Sequence, residues 1–243
     1  MIAGKKWMLL VLIVCAFVTV KGQSTKFSGW FMLMNTNKIN KRFSTHFDFQ
    51  LRSDDHWKNT ETIIIRPGLN YHLNNSIIAT LGYAYNLAWR HIDDVRGPLG
   101  EHRIWQQLIV PQHINKLTIN HRFRLEERFI PIAVKVNDEI EKDGYRYVTR
   151  FRYFFRSVIP VPFKKNFSSG FFTAIQNEIM FNVTDANNIN NKFFDQNRFY
   201  AAAGWRLRKE LDLEAGYMNQ FVEGRGETYV NNNIIQLAIY LRL

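Results

Sequence analysis

The chain contains 243 residues, of which 46% are hydrophobic and 15% are aromatic. This content excludes a disordered or low-complexity protein and allows one large domain or two small ones. The charged fraction of 22% and the negative mean hydropathy also exclude a bundle of membrane-spanning helices. The formal net charge of +11 makes the chain strongly basic.

The N-terminus has the parts of an export signal. Lys5 and Lys6 supply positive charge, and the apolar run Trp7–Val20 that follows is short for a membrane-spanning helix. We therefore expect a signal peptide over residues 1–22 and a mature chain over residues 23–243. An uncleaved membrane anchor is the alternative interpretation.

The only cysteine, Cys15, lies inside this segment. Val14 precedes it where a lipoprotein signal has Gly or Ala, so we expect no lipid attachment. The mature chain then has no disulfide, and its stability must come from hydrogen bonding and packing. Cleavage removes three of the 32 basic residues and none of the 21 acidic ones, which leaves a formal charge of +8.

Beyond the signal the dominant sequence period is two, which sends alternate side chains to opposite faces of a strand. In Arg42–Arg52 one face carries Phe, Thr and Leu, and the other carries polar residues. Ile77–Arg90 repeats the alternation. Segments that follow the same rule are Thr62–Leu73, Leu117–Phe129, Tyr145–Arg156, Phe171–Asn182, Arg198–Leu207, Leu211–Phe221 and Ile234–Leu243; Phe27–Asn35 and His102–Val110 fit it less cleanly.

The connections between these segments alternate in length. They are tight at residues 74–76 and 208–210. The long polar connections lie around residues 53–61, 91–101, 130–144, 183–195 and 222–230. Short turns at one end and long loops at the other predict an antiparallel up-and-down meander in a single domain.

Strand length distinguishes a soluble β-sandwich from a membrane barrel. Strands of soluble proteins usually have about five or six residues, whereas a tilted membrane strand needs about nine to eleven. Most of the segments reach ten to fourteen residues. The sequence therefore predicts an all-β protein, an antiparallel up-and-down transmembrane β-barrel that follows the signal peptide.

The polar face supports this prediction because its charges form rows. Leu117–Phe129 carries four charged residues on one face, and Tyr145–Arg156 carries four arginines opposite a row of Tyr and Phe. An arginine facing lipid at the midplane costs about 2 to 4 kcal/mol, so we expect these rows to face the barrel interior. The candidate residues for an anion path or an ion-pair network are Arg122, Arg124, Glu126, Arg128, Arg150, Arg152, Glu178 and Arg198.

Several stretches resemble a family of bacterial proteins. The last strand alternates apolar residues up to Leu243, as final strands of outer-membrane barrels do, although those commonly end in Phe or Trp. The stretches that carry the family resemblance are Leu81–Tyr85, Glu101–Gln107, His121–Phe129, Asn177–Glu178, Asp195–Arg198 and Gly216–Met218. Nearly the whole mature chain is similar to the domain-of-unknown-function 2490 family. The resemblance implies a barrel in the outer membrane of a Gram-negative bacterium and supplies no activity.

The predicted interior has an excess of positive charge. The rows place fourteen arginines inside, namely Arg52, Arg66, Arg90, Arg103, Arg122, Arg124, Arg128, Arg146, Arg150, Arg152, Arg156, Arg198, Arg206 and Arg242. They place five acids there, namely Asp48, Glu126, Glu178, Asp212 and Glu214. Pairing cannot neutralise such an excess, so either water and anions enter or some arginines lie at the rims.

Three alternative functions are compatible with the predicted barrel. The first is binding or passage of small anionic solutes. The second is a closed structural barrel or assembly partner without transport, in which arginine–carboxylate pairs stabilise the fold. The third is a lipid-modifying outer-membrane enzyme. The expected partners are outer-membrane lipid, the outer-membrane assembly machinery and small anions.

The sequence gives little support for a catalytic site or for a nucleic-acid-binding surface. Ser44, His46 and Asp48 share a strand face, but residues two apart lie about 6.6 Å apart along a strand, too far for triad contacts of about 3 Å. No metal-ligand spacing and no phosphate-binding glycine loop occurs, so we expect no cofactor and no enzyme activity. Aromatic residues and arginines lie on opposite faces, which argues against binding of nucleic acid.

His121 falls in the lipid-facing row, where we expect it to lie near an interface or to pair with a neighbour.

Strand number and orientation complete the predictions. Eleven segments alternate, but single-chain bacterial barrels have even numbers of strands. We therefore expect ten to twelve strands: ten if Phe27–Asn35 does not span, or twelve if one segment is missed. We expect the loops near 91–101 and 183–195 to face the cell exterior.

Overall fold

The structure, a computed structural model, describes residues 24–54, 57–74, 76–114, 117–162 and 167–243. The predicted signal peptide, residues 1–22, lies outside the described residues. Eleven strands form one closed barrel. They are β1 (Ser24–Lys38), β2 (Phe43–Asp54), β3 (Asn59–His72), β4 (Ile78–Ile92), β5 (Val95–Ile114), β6 (Leu117–Val136), β7 (Glu139–Pro160), β8 (Gly170–Asn182), β9 (Phe194–Arg208), β10 (Leu211–Glu223) and β11 (Tyr229–Arg242).

The predicted all-β meander is confirmed. Each strand from β1 to β11 pairs antiparallel with the next along the chain. We call the end with the β1–β2, β3–β4, β5–β6, β7–β8 and β9–β10 connections the turn end, and the opposite end the loop end. Within the described ranges, no helix is long and apolar enough to cross a membrane.

The two faces of the barrel wall are inverted relative to a soluble protein. In β2 the buried side chains include Ser44, His46 and Asp48, whereas the apolar Leu51 is exposed. Large apolar side chains cover the outer face of most other strands as well. Exposed examples are Ile65, Leu81, Ile104, Leu125, Trp205 and Leu237. The alternation read from the sequence therefore places polar residues inside and apolar residues outside.

The barrel has eleven strands, a number that lies within the predicted range of ten to twelve and matches neither of the two even counts. β1 crosses the full barrel wall, and it pairs with β11 in parallel from Ser24↔Val230 to Thr36↔Arg242. Parallel pairing of the first and last strands is what an odd number of alternating strands requires. β1 alternates less clearly in the sequence because its inner row carries Trp30, Met32 and Met34, which are as apolar as its outer row.

The stagger of the strands keeps the two faces consistent around the barrel. A path through paired residues leaves β7 at Tyr147 and, after one circuit, returns at Val161, the residue that follows the end of β7 and lies fourteen residues further on. An even stagger makes inward residues meet inward residues at every pairing, including the parallel one. Eleven strands enclose more space than the eight-stranded barrels that side chains fill, and less than sixteen-stranded porins.

Two of the predicted long loops are strands. Residues 91–101 and 130–144 extend two hairpins beyond the loop end, with turns at Asp93–Asp94 and Asn137–Asp138. Asp93, Asn137 and Asp138 have positive φ angles, which Asn and Asp tolerate better than most residues and which short hairpin turns require. The segments look like loops in the sequence because their residues are polar. Residues 183–193 and 224–228 do connect strands at the loop end, as predicted.

Candidate functional site in the barrel interior

The eight charged residues singled out by the sequence all lie on the inner face of four neighbouring strands. β6 contributes Arg122, Arg124, Glu126 and Arg128, β7 contributes Arg150 and Arg152, and β8 and β9 contribute Glu178 and Arg198. On β6 the intervening Phe123 and Leu125 are exposed on the outer face. Strict alternation along the strand therefore brings the charges together inside.

Glu126 is the centre of the network. Its carboxylate is 1% exposed and lies 2.6 Å from Arg150 and 2.5 Å from Arg152. Arg124 and Arg103 approach within 3.7 Å and 3.9 Å. Four guanidinium groups from β5, β6 and β7 thus surround one carboxylate, and this arrangement leaves net positive charge around it.

Glu178 forms the second centre. Its carboxylate accepts hydrogen bonds from Arg152 at 2.7 Å and from Arg122 at 2.6 Å, and Arg198 lies at 3.7 Å. Because Arg152 also donates to Glu126, it bridges the two carboxylates. The network therefore joins β6, β7, β8 and β9 through side chains as well as through the backbone.

Two interior carboxylates were missed by the sequence reasoning. Glu101 accepts hydrogen bonds from Arg103 and Arg128, each at 2.7 Å. Asp195 accepts one from Arg150 at 3.0 Å. Glu101 lies two residues before Arg103 and shares its face, so the signal was present but lay just before the assigned segment. Asp195 lies near a register shift between β8 and β9, where alternation fails.

These findings revise the interior charge. Arg90, Arg146 and Arg242 are exposed, so three of the fourteen arginines are less enclosed than expected. The other eleven face seven carboxylates. The carboxylates are Asp48, Glu101, Glu126, Glu178, Asp195, Asp212 and Glu214. Glu61, which is partly exposed and lines the interior near Arg52, is an eighth carboxylate, so the interior keeps three more guanidinium groups than carboxylates.

The interior contains two cavities. The turn-side cavity, towards the turn end, has a volume of about 390 Å³, and the loop-side cavity has a volume of about 330 Å³. Five side chains line both cavities and so separate them; we call them the partition. They are Trp30, Arg52, Arg66, Arg152 and Arg198.

Arg52 differs from the other arginines of the partition. Its guanidinium lies 3.8 Å from the centre of the Trp30 ring, and Arg198 lies 5.2 Å from the same ring. Arg52 donates to the side-chain oxygen of Gln50 at 2.6 Å. Among the described residues it forms no ion pair with a carboxylate. Its direct contacts are therefore a neutral amide and an aromatic face, and Glu61 acts on its charge from beyond ion-pair distance.

Ser44, His46 and Asp48 lie on the inner face, as predicted, but they do not assemble as a triad. The Ser44 hydroxyl lies 2.9 Å from His72 Nε2, and Asp48 accepts a hydrogen bond from Arg66 at 2.9 Å. In the described part of the chain, no group of three or more His, Cys, Asp or Glu residues has the arrangement of a metal site.

The expectation that His121 pairs with a neighbour is confirmed. Its ring nitrogens lie 2.8 Å from the Tyr153 hydroxyl and 2.9 Å from the Gln112 side-chain oxygen. The polar ring thus has partners on the outer face of the barrel.

Comparisons with known proteins assign the chain to a family. No curated protein and no solved structure matches the chain. The model of one protein family, described as "Protein of unknown function (DUF2490)", matches residues 27–231. The match begins within β1 and ends within β11, so it includes residues from every strand. The chain therefore belongs to the DUF2490 family.

Proposed function

We propose that this chain is an outer-membrane β-barrel whose interior binds and passes small anions. The membrane part is supported by the inverted wall, because a soluble protein rarely exposes so many large apolar side chains around its circumference. Closed barrels satisfy every backbone hydrogen bond within the wall, which hydrocarbon requires. The resemblance to outer-membrane proteins supports the location.

One observation carries the anion part: the three guanidinium groups in excess of the interior carboxylates. A guanidinium keeps its proton in proteins, so the excess charge cannot be removed by titration. Burying it without water or anions is strongly unfavourable. Arg52, which lacks a carboxylate partner among the described residues, lies in the partition between the two cavities. We infer that an anion moving between the cavities contacts Arg52.

A closed structural barrel is the second candidate, and the bridging position of Arg152 favours it. A network in which one guanidinium serves Glu126 and Glu178 fixes the relative positions of several strands. Such a network fills the interior at the height of the partition. In this case water would occupy both cavities, and no solute would cross between them.

Conductance across planar bilayers under a salt gradient distinguishes the candidates. We expect the protein to favour anions over cations, and the preference to fall as salt screens the interior charge. Arg52→Gln should lower the anion-to-cation permeability ratio at least threefold. Arg96→Gln is the matched control, because Arg96 donates to the Thr60 carbonyl outside the interior. Cation preference would overturn the proposal, and absence of conductance favours the closed barrel.

A further inference from the structure

The two cavities differ in chemistry. Apolar side chains from six strands cover much of the turn-side wall. They are Met32 and Met34 of β1, Ile78 of β4, Ile109 of β5, Phe154 of β7, Met218 of β10 and Leu241 of β11. The loop-side cavity is lined largely by polar and charged side chains, among them Lys26, Glu61, Asn86, Arg90, Gln220 and Asn232. A wall of this kind is not needed by a hydrated inorganic ion.

The turn-side cavity also contains unsatisfied polar atoms. His46 Nε2, Arg66 Nε and Arg122 Nε are buried, and none has a hydrogen-bond partner among the described residues. All three residues line this cavity. Two carboxylates also line this cavity, and each is already engaged, Asp48 by Arg66 and Glu178 by Arg122. Buried donors without partners are unfavourable, so an acceptor supplied by a ligand would stabilise them.

We propose that the turn-side cavity binds an organic monoanion with an apolar tail, such as a medium-chain carboxylate. This inference rests on the proposed function and names its substrate class. The carboxylate accepts hydrogen bonds from Arg66 and Arg122, whose forked donors match its two oxygens. The tail lies against Met32, Met34 and Phe154. Methionine adapts its shape to flexible chains, which suits a wall that holds tails of differing length.

The size of the cavity limits the ligand. A volume of about 390 Å³ lies at the lower end of the range of small-molecule pockets. It is sufficient for one chain of roughly ten carbons with its carboxylate, and too small for a phospholipid with two acyl chains. The lining includes Leu241 and Arg242, next to the C-terminus at the turn end, so the cavity reaches that end of the barrel.

Equilibrium dialysis of labelled decanoate tests the proposal on the protein in lipid nanodiscs, with empty nanodiscs subtracted. We expect saturable binding of one decanoate per chain. Decanol, which lacks the charge, and succinate, which lacks the tail, should bind at least tenfold more weakly. Decanol binding as tight as decanoate, or succinate binding as tight, would overturn the inference.

Variants locate the bound molecule. Arg122→Gln should weaken decanoate at least tenfold, and Arg122→Lys, which keeps the charge, should weaken it less. Met34→Gln should weaken decanoate about tenfold, since it places an amide in the apolar wall. Val222→Gln is the matched control, because Val222 lines the loop-side cavity. Equal effects of Met34→Gln and Val222→Gln would reject the turn-side location even if Arg122→Gln failed to fold.

The outcome is separable from that of the proposed function. Anion-selective conductance without decanoate binding leaves the proposed function standing and rejects this inference. Decanoate binding without conductance supports this inference and rejects the passage of anions through the barrel.

Discussion

At the scale of single residues, Arg152 joins the two carboxylates at the centre of the interior network. It lies 2.5 Å from Glu126 and 2.7 Å from Glu178, and its side chain is 5% exposed. Breaking a buried ion pair by removing one partner typically costs about 3 to 5 kcal/mol, because the remaining charge stays buried. Arg150 and Arg122 still contact the two carboxylates, so some of the pairing survives when Arg152 is removed.

We therefore predict that Arg152→Gln lowers the free energy of unfolding by about 3 kcal/mol, at the low end of that range. Urea unfolding in lipid vesicles, followed by tryptophan fluorescence, measures the change. Arg146→Gln on the same strand is the control. Arg146 is exposed and donates to the Asn188 carbonyl, so its loss should change stability by less than about 0.5 kcal/mol. Equal losses in the two variants would contradict the bridging role.

The inward position of the candidate residues was predictable because two-residue alternation is unambiguous on β6 and β7. The ion-pair partners of these residues could not be predicted. Alternation determines on which face of its strand a residue lies, but it does not determine which strand lies across the interior. Arg150 contacts Asp195 of β9, a strand that is not its neighbour in the sheet. The local irregularity at the start of β9 hid Asp195 from the pattern altogether.

At the scale of elements, β1 decides how the barrel closes. Its residue Leu33 lies between Phe49 of β2 and Ile239 of β11. A ten-stranded barrel without β1 would place β2 directly beside β11. The two closures therefore differ in which strand touches the last one.

Engineered cysteine pairs test this closure, because the only native cysteine is Cys15. We predict that Leu33→Cys with Ile239→Cys forms a disulfide on mild oxidation, since their Cα atoms face each other across the seam. Phe49→Cys with Ile239→Cys should not, because an intervening strand holds them farther apart than the roughly 7 Å limit for disulfides. Peptide mass spectrometry detects whether a disulfide has formed in each variant. Cross-linking of the second pair alone would support ten strands.

The number of strands could be counted from the sequence, but their lengths could not. Eleven alternating segments correspond to the eleven strands, and the general preference for even numbers was the reason for rejecting that count. The β4–β5 and β6–β7 hairpins were missed because residues beyond the barrel wall face water on both sides. Their alternation in polarity is lost there, although the backbone pairing continues.

At the scale of the whole molecule, the two ends of the barrel are unequal. The β4–β5 and β6–β7 hairpins and the segment 183–193 all belong to the loop end. Barrels of the outer membrane have short turns towards the periplasm and longer loops towards the exterior. The loop end is thus expected to face outward.

Protease recognition sites inserted in whole cells test this orientation. A site inserted after Asn187, in the 183–193 segment, should be cleaved in intact cells. A site inserted after Asn74, in the β3–β4 turn, should be cleaved only after the membrane is opened. Cleavage with the opposite dependence would invert the orientation.

The parallel seam between β1 and β11 fixes where the two ends of the barrel domain emerge. In the proposed membrane barrel each strand would carry the chain from one side of the membrane to the other, and an odd number of crossings would leave the ends on different sides. Ser24 lies at the loop end, whereas Leu243 bonds to Thr36 and Lys38 at the turn end. A domain fused before Ser24 and a domain fused after Leu243 would therefore occupy separate compartments. In an even-stranded barrel the same two fusions would share one compartment.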